Sequence, residues 1–334
     1  MRVLEVGQHA VGYAGRLAVR AGAEVIRMEP AQRDPAWASD LAMDAYLHAG
    51  KARLAWQPER LYQLATDADV VFVEAGTADG LLAMGFMDWS SSVCVAVTPF
   101  GLTGPKRNWR ATPATLLAMG GYTYLMGDPE RAPLNLPGHY VEFQSGALAF
   151  AAGVAAYRCG EPQQIELSML ETVMSLSQFT TVRWHCAGEV RTRHGSDFWF
   201  VSPSNLFRCQ DGWAYAVIVP NFWDPFVAMM GLPELLIDPR FATPDARMNH
   251  REELLELLRP VFARWTRAEV DARAAECRVP VGVVRSLSEV MNEPHLAERQ
   301  FWETIHADSE LKSPGLPYRK LGAAPSAQWL SDPA

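Results

Sequence analysis

Residues 1–29 read MRVLEVGQHAVGYAGRLAVRAGAEVIRME, and this stretch decides the fold class. Val3–Val6 is a short apolar strand. Gly12–Ala21 is helix-like, with small residues at its start. Gly22-Ala23 turns the chain into a second strand that ends in the acid Glu29. The pattern then repeats. A helix around Pro58–Thr66 precedes the buried-type strand Asp69–Val73, and Val93–Thr98 is another such strand. Strands that alternate with helices pair in parallel, because a parallel connection needs a crossover element. The expectation is an α/β fold with a doubly wound parallel sheet.

The first turn also limits what the sheet can bind. It reads Gly7-Gln8-His9-Ala10-Val11-Gly12 and lacks the G-x-G-x-x-G spacing. Without those glycines the backbone cannot approach a pyrophosphate in the dinucleotide manner, so NAD is not expected. The chain has 334 residues, 49% hydrophobic and 20% charged, enough core for more than one domain. A net charge of −8 and the lack of a basic run argue against a nucleic-acid partner. The five cysteines (Cys94, Cys159, Cys186, Cys209, Cys277) are scattered, with no C-x-x-C pair. Reduced thiols fit better than a disulfide framework, and Cys94 lies within the core run Val93–Val97. No two histidines share a ligand-like spacing, so no metal is expected. No signal peptide and no apolar run of about 18 residues is visible, so no membrane partner is expected and the cytoplasm is the default.

Further along, Gln164–Ser168 reads as a strand and Met169–Thr180 as a helix. His185–Ser204 reads as a connecting segment. Asn205–Val219 carries two strands around an Asp211-Gly212 turn, a hairpin signal. Arg247–Arg264 and Thr266–Glu276 are charged amphipathic helices. Val281–Arg285 is a strand and Leu287–Glu293 a short helix. The expected organisation is a large domain over 1–190, with 305–334 returning to it, and a linker with a smaller α+β domain over 191–304.

The stretch Val97–Tyr157 carries the candidate chemistry. A Gly- and Pro-rich loop runs into an apolar helix, then a turn, then Gly138-His139-Tyr140-Val141-Glu142. An Ala- and Gly-rich helix follows, Phe143–Tyr157. An acid at the first turn of such a helix lies near unpaired N–H groups and the positive end of the dipole, which favours its ionised form. An ionised, positioned carboxylate can act as a covalent nucleophile. The same position also suits a plain helix-capping acid.

Taken in order, these pieces resemble the class III CoA-transferases, the family that includes formyl-CoA transferase, carnitine CoA-transferase and α-methylacyl-CoA racemase. Arg2–Val6 and Gly22–Glu29 resemble the family's RVLDL and GADVIKVE segments. Tyr46–Arg53 resembles its YL-N-x-x-K-R segment, and Thr98–Pro105 its loop ending in F/Y-G-x-x-G-P. Asp238-Pro239-Arg240-Phe241, then Val279–Val284, then Pro294-His295-Leu296 resemble its small-domain pattern. The resemblance implies a Rossmann-like large domain that binds CoA, a smaller domain, and two chains passing through each other as an interlocked dimer. It implies a carboxylate that attacks the donor thioester, forms a mixed anhydride, becomes an enzyme-bound CoA thioester and passes CoA to an acceptor carboxylic acid. The family's nucleophile is an Asp, and its position here is Glu142, one methylene longer.

Position and resemblance together offer candidate neighbours. His9, in the first strand-to-helix turn, would donate to a developing oxyanion, or is simply a satisfied turn histidine. Gln144 and Ser145 would orient Glu142, or merely pack the helix start. Arg33, Lys51 and Arg110 are candidate contacts for the CoA phosphates, or plain surface charges. Glu29 would face the adenine region or only the sheet edge. His139, three residues before Glu142, would lie near the site, or would point to the opposite face if the segment alternates as a strand. Trp184, Phe198, Trp199, Phe207 and Trp223 are candidates for an acyl pocket or for core.

Three departures stand out. The family's Asn-Phe or Arg after the strand ending near Glu74 is Ala75-Gly76-Thr77 here. The racemase branch's catalytic His before the first apolar helix is replaced by Thr112. The family's C-terminal G-x-H-x-x-x-(I/V)L helix is missing before Ala334. The expected function is a CoA-transferase with a glutamyl intermediate. An acyl-CoA racemase or isomerase is the alternative, which Thr112 disfavours. So is a catalytically weak CoA-binding subunit in a heteromer with a homologous chain.

Overall fold

The computed structural model describes residues 1–29, 40–90, 92–198, 200–305 and 311–319. The chain divides into two units. The first comprises Met1–Tyr124, Asn135–Arg191 and Pro294–Ala334, and the second comprises Leu125–Leu134 and Thr192–Glu293.

The first unit is built on a six-stranded sheet of β1 (Arg2–Val6), β2 (Glu24–Met28), β3 (Ala52–Leu54), β4 (Val70–Glu74), β5 (Val93–Thr98) and β6 (Gln164–Ser168). The order is β3-β2-β1-β4-β5-β6, and every pairing is parallel. The helices of this unit include α1 (His9–Arg20), α2 (Leu41–His48), α3 (Pro58–Asp67), α4 (Ala78–Leu82), α5 (Pro113–Met119), α6 (Tyr140–Cys159), α7 (Met169–Ser175) and α8 (Gln178–Ala187). Alternate side chains of the strands feed two cores. Val3, Val70, Phe72 and Val95 pack with Ala10 and Ala14 of α1 and Ala149 of α6. Leu4, Val71, Val73 and Cys94 pack on the other face with Leu61, Phe86 and Trp89. Both faces of the sheet are therefore covered, which is why its strands read as continuous apolar runs. Cys94 is core, as expected, and burial pushes its thiol up to about 12.

α1 and α6 approach closely because their facing residues are small. A Cβ on Gly146 would stand 2.2 Å from the Ala10 carbonyl oxygen. Beneath α1 lies a buried charge cluster. Glu5 accepts from Arg27 and Lys51, and Lys51 Nζ also donates to the Gly12 carbonyl at 2.8 Å. Pairing is what makes such buried charges tolerable. The returning segment forms β10 (Trp302–Thr304) and β11 (Lys312–Pro314), an antiparallel pair. Arg16 of α1 donates to the Pro314 carbonyl at 3.2 Å, and Arg20 pairs with Glu303.

The second unit holds a three-stranded antiparallel sheet of β7 (Ser204–Cys209), β8 (Gly212–Val217) and β9 (Val281–Val283). β7 and β8 form the hairpin read around Asp211-Gly212. Phe207, Trp223, Phe226, Leu254 and Phe262 centre its core. The amphipathic stretch read as one helix over Arg247–Arg264 is two, Pro244–Asn249 and Arg251–Phe262. The break falls at His250, whose φ of −111° and ψ of 29° leave the helical region. Met169–Thr180 is likewise divided between α7 and α8. Among the described residues no helix is long and apolar enough to cross a membrane.

Strand order reverses between β1 and β4. In open α/β sheets the crevice outside the carboxyl ends at such a switch point is where ligands bind. The residues that follow β1 and end β4 are Gly7-Gln8-His9 and Glu74.

Candidate active site

Glu142 reaches this crevice from α6. It is the third residue of that helix, and His139 is the N-cap. The helix thus begins three residues earlier than the sequence suggested, at Tyr140 instead of Phe143. This decides the placement of His139. Strand alternation would send it away from Glu142, but residues three apart at a helix start share a face. His139 Nδ1 lies 3.3 Å from Glu142 Oε1. His9 Nδ1 lies 3.6 Å from the same oxygen, and the two imidazole rings stand 3.9 Å apart, tilted by 55°.

Glu142 is 8% exposed. Its Oε2 is buried and has no hydrogen-bond partner among the described residues. Burial raises its pKa above the usual carboxylate range, and the residue's own backbone N–H and His139 pull against that rise. The helix start alone was expected to favour ionisation; desolvation is the larger influence. His9 is also buried, and that burial, with repulsion from His139 and Arg27, pushes its pKa down to about 2. His9 is a neutral imidazole at any working pH, fit to accept or donate a hydrogen bond without carrying charge.

Glu74 completes the crevice and was missed as a site residue. Its Oε2 accepts from the backbone N–H of Gln8 at 3.2 Å and of Val11 at 3.1 Å. These donors open α1, the place where a dinucleotide fold would hold a pyrophosphate. The carboxylate holds the turn that carries His9. Gly7 permits the approach. Its φ is +149°, and a Cβ there would fall 2.5 Å from Glu74 Cβ. Burial raises the Glu74 pKa to about 7. The two N–H groups oppose that rise, and Glu142 adds to it. The signal available in the sequence was position: Glu74 ends a central strand at the switch point.

The other candidates fall in different places. Gln144 is half-buried on α6, beside Glu142. Ser145 is fully buried, and its Oγ has no hydrogen-bond partner among the described residues. Arg110 is exposed on the loop before α5. Lys51, a candidate phosphate contact, is instead the buried counter-ion of Glu5, and burial lowers its pKa to about 8. Glu29 is engaged by Arg27 at 3.3 Å and by Arg53, which also binds Asp44 at 2.6 Å. Arg33 and Trp199 lie outside the described residues. Phe207 and Trp223 are core of the second unit. Thr112 caps α5, its hydroxyl accepting from Thr115 N–H at 3.3 Å.

Linear spacing did not reveal one juxtaposition. His9, His139 and Glu142 each offer a metal-ligand atom, all within 4.8 Å of one another. Histidines far apart in sequence meet because β1 ends and α6 begins at the same crevice.

The model of CoA-transferase family III matches residues 1–334. The chain belongs to CoA-transferase family III. It is 27% identical to the succinyl-CoA–D-citramalate CoA-transferase of Chloroflexus aurantiacus, over 92% of this chain and 83% of that protein. It is 24% identical to the succinate–glutarate CoA-transferase of Agrobacterium fabrum, over 95% of this chain and 87% of that one. In structure it resembles a CaiB/BaiF family protein from Brucella suis, with a TM-score of 0.82 at 23% identity, covering 97% of this chain and 92% of that one. This family III chain therefore has the fold and family that its ordered motifs implied.

Proposed function

We propose that this chain transfers CoA from an acyl-CoA thioester to a free carboxylic acid, with Glu142 as the covalent nucleophile. The observation that carries this reading is a buried carboxylate at the switch point of the sheet, with one oxygen unpartnered among the described residues. The ionised carboxylate attacks the thioester carbonyl carbon and expels CoA thiolate, leaving a mixed anhydride. The thiolate attacks Glu142 Cδ and releases the donor acid. The acceptor carboxylate then attacks the glutamyl thioester, and the thiolate takes the acceptor acyl group, which restores Glu142. His9, neutral and beside Oε1, would donate to a developing oxyanion, and Gln144 would help orient the carboxylate.

Arg110 and Arg33 remain the proposed contacts for the CoA phosphates. Two copies would act as an interlocked homodimer in the cytoplasm, and pairing with a homologous chain is the alternative assembly. Succinyl-CoA is the proposed donor, because several relatives carry succinyl-CoA or succinate in their names. Thr112 gives no support to a two-base racemase, since its side chain is not a base and caps α5. The test is incubation with succinyl-CoA, trapping with hydroxylamine or borohydride, and peptide mapping. A hydroxamate or alcohol at Glu142 is expected. Thioester binding with an unmodified Glu142 would overturn the proposal.

A further inference from the structure

We propose that His139 fixes the two oxygens of Glu142 in different roles, holding Oε1 as the retained carbonyl oxygen and leaving Oε2 as the only attacking oxygen. The inference rests on Glu142 being the nucleophile. His139 is the N-cap of α6 but makes no side-chain cap hydrogen bond. Serine, threonine, aspartate or asparagine would cap this helix better. The imidazole instead turns to the third residue of the helix, with Nδ1 3.3 Å from Oε1. With Glu142 ionised, as attack on a thioester requires, the carboxylate only accepts and Nδ1 is the donor in this contact. The ring is flanked by His9 at 3.9 Å and by Phe143 at 5.8 Å between centroids. Those neighbours restrict its rotation. Oε2 is buried and has no hydrogen-bond partner among the described residues, so in this proposal it is the oxygen whose lone pair is available to a thioester carbonyl carbon.

This arrangement answers the extra methylene. A longer side chain has one more torsion to hold, and a nucleophile gains rate only when it is oriented. His139 supplies the constraint from the same helix turn. The donor also remains beside Oε1 when thiolate or acceptor attacks Cδ, the steps in which negative charge develops on that oxygen. His139 is a positioning residue in this account.

The oxygen balance makes the proposal testable. In the first half-reaction the bridging oxygen, Oε2, leaves with the donor acid when thiolate attacks Cδ. In the second half-reaction an acceptor oxygen bridges and stays on Glu142 when thiolate attacks the acceptor carbonyl. Each turnover replaces one oxygen and keeps Oε1. If the carboxylate cannot flip, only one position ever exchanges.

The experiment uses full-length protein, succinyl-CoA and a large excess of carboxylic acid carrying heavy oxygen in both positions. After many turnovers the Glu142 peptide is weighed. One heavy oxygen is expected in the wild type and two in His139→Phe. His139→Gln, which keeps a side-chain N–H donor, is expected to retain one if folded, and it serves where the Phe variant does not fold. Two heavy oxygens in the wild type would overturn the lock while leaving the nucleophile intact. One heavy oxygen in both wild type and His139→Phe would show that His139 is not the lock. No heavy oxygen at Glu142 despite turnover would remove the nucleophile and this proposal with it.

Discussion

Glu142→Asp is the substitution that best tests whether the site is built around the longer side chain. On sequence resemblance it restores the family's nucleophile and should be harmless or beneficial. The geometry predicts the opposite. Removing one methylene withdraws the carboxyl by about 1.5 Å, one carbon–carbon bond. The contact from His139 Nδ1 to Oε1, now 3.3 Å, would open to roughly 4.5 Å, beyond hydrogen-bond range. The separation from His9, now 3.6 Å, would grow as well. A misplacement of about 1 Å costs on the order of 10²-fold in rate, equal to about 2.7 kcal/mol in the barrier. Fold stability should change by less than about 1 kcal/mol, because only one methylene leaves the interior. Initial rates of CoA-ester formation, separated by chromatography at saturating succinyl-CoA, give kcat, and a thermal melt gives stability. The expected result is a kcat lower by about 10² with an almost unchanged melt. Activity equal to or above wild type in a folded Glu142→Asp protein would refute the reasoning, because the imidazoles would then have no part in placing the carboxylate.

Two further predictions concern the framework around the nucleophile. Glu74 has a folded pKa of about 7, above the 4.5 of a free carboxyl. The native state therefore binds more protons between these values, so stability is fully present below the lower one and falls as pH rises through the upper one. The partial exposure of Glu74 trims the effect to on the order of 1–3 kcal/mol. Urea unfolding across this range should show the decline in wild type and a flatter profile in Glu74→Gln; parallel profiles would reject the assignment. Gly146→Ala would place a Cβ 2.2 Å from a backbone oxygen of α1. A loss of about 1–3 kcal/mol is expected, with reduced kcat as α1 carries His9 away from Glu142. A melt and a rate both at wild-type level would show that the helices part without consequence.

Much of this was legible in the sequence because it depended on local chemistry. Residues 1–29 specify strand, helix and strand through apolar runs of strand length, small helical residues and a turn glycine. Glu142 stood out because an acid beside an Ala- and Gly-rich helix is an unusual combination. The surroundings of that acid were not legible. His9, Glu74 and His139 belong to three elements that meet only where strand order reverses, and no linear spacing encodes that meeting. Lys51 looked like a surface cation because its burial depends on Glu5 and Arg27 arriving from neighbouring strands. The face of His139 turned on where α6 begins, a boundary set by tertiary packing against α1. Periodicity and turn chemistry act over a few residues and so determined the α/β frame. Burial and charge pairing act between distant residues, and only the folded chain decided which groups share the crevice and which oxygen of Glu142 finds no partner among the described residues.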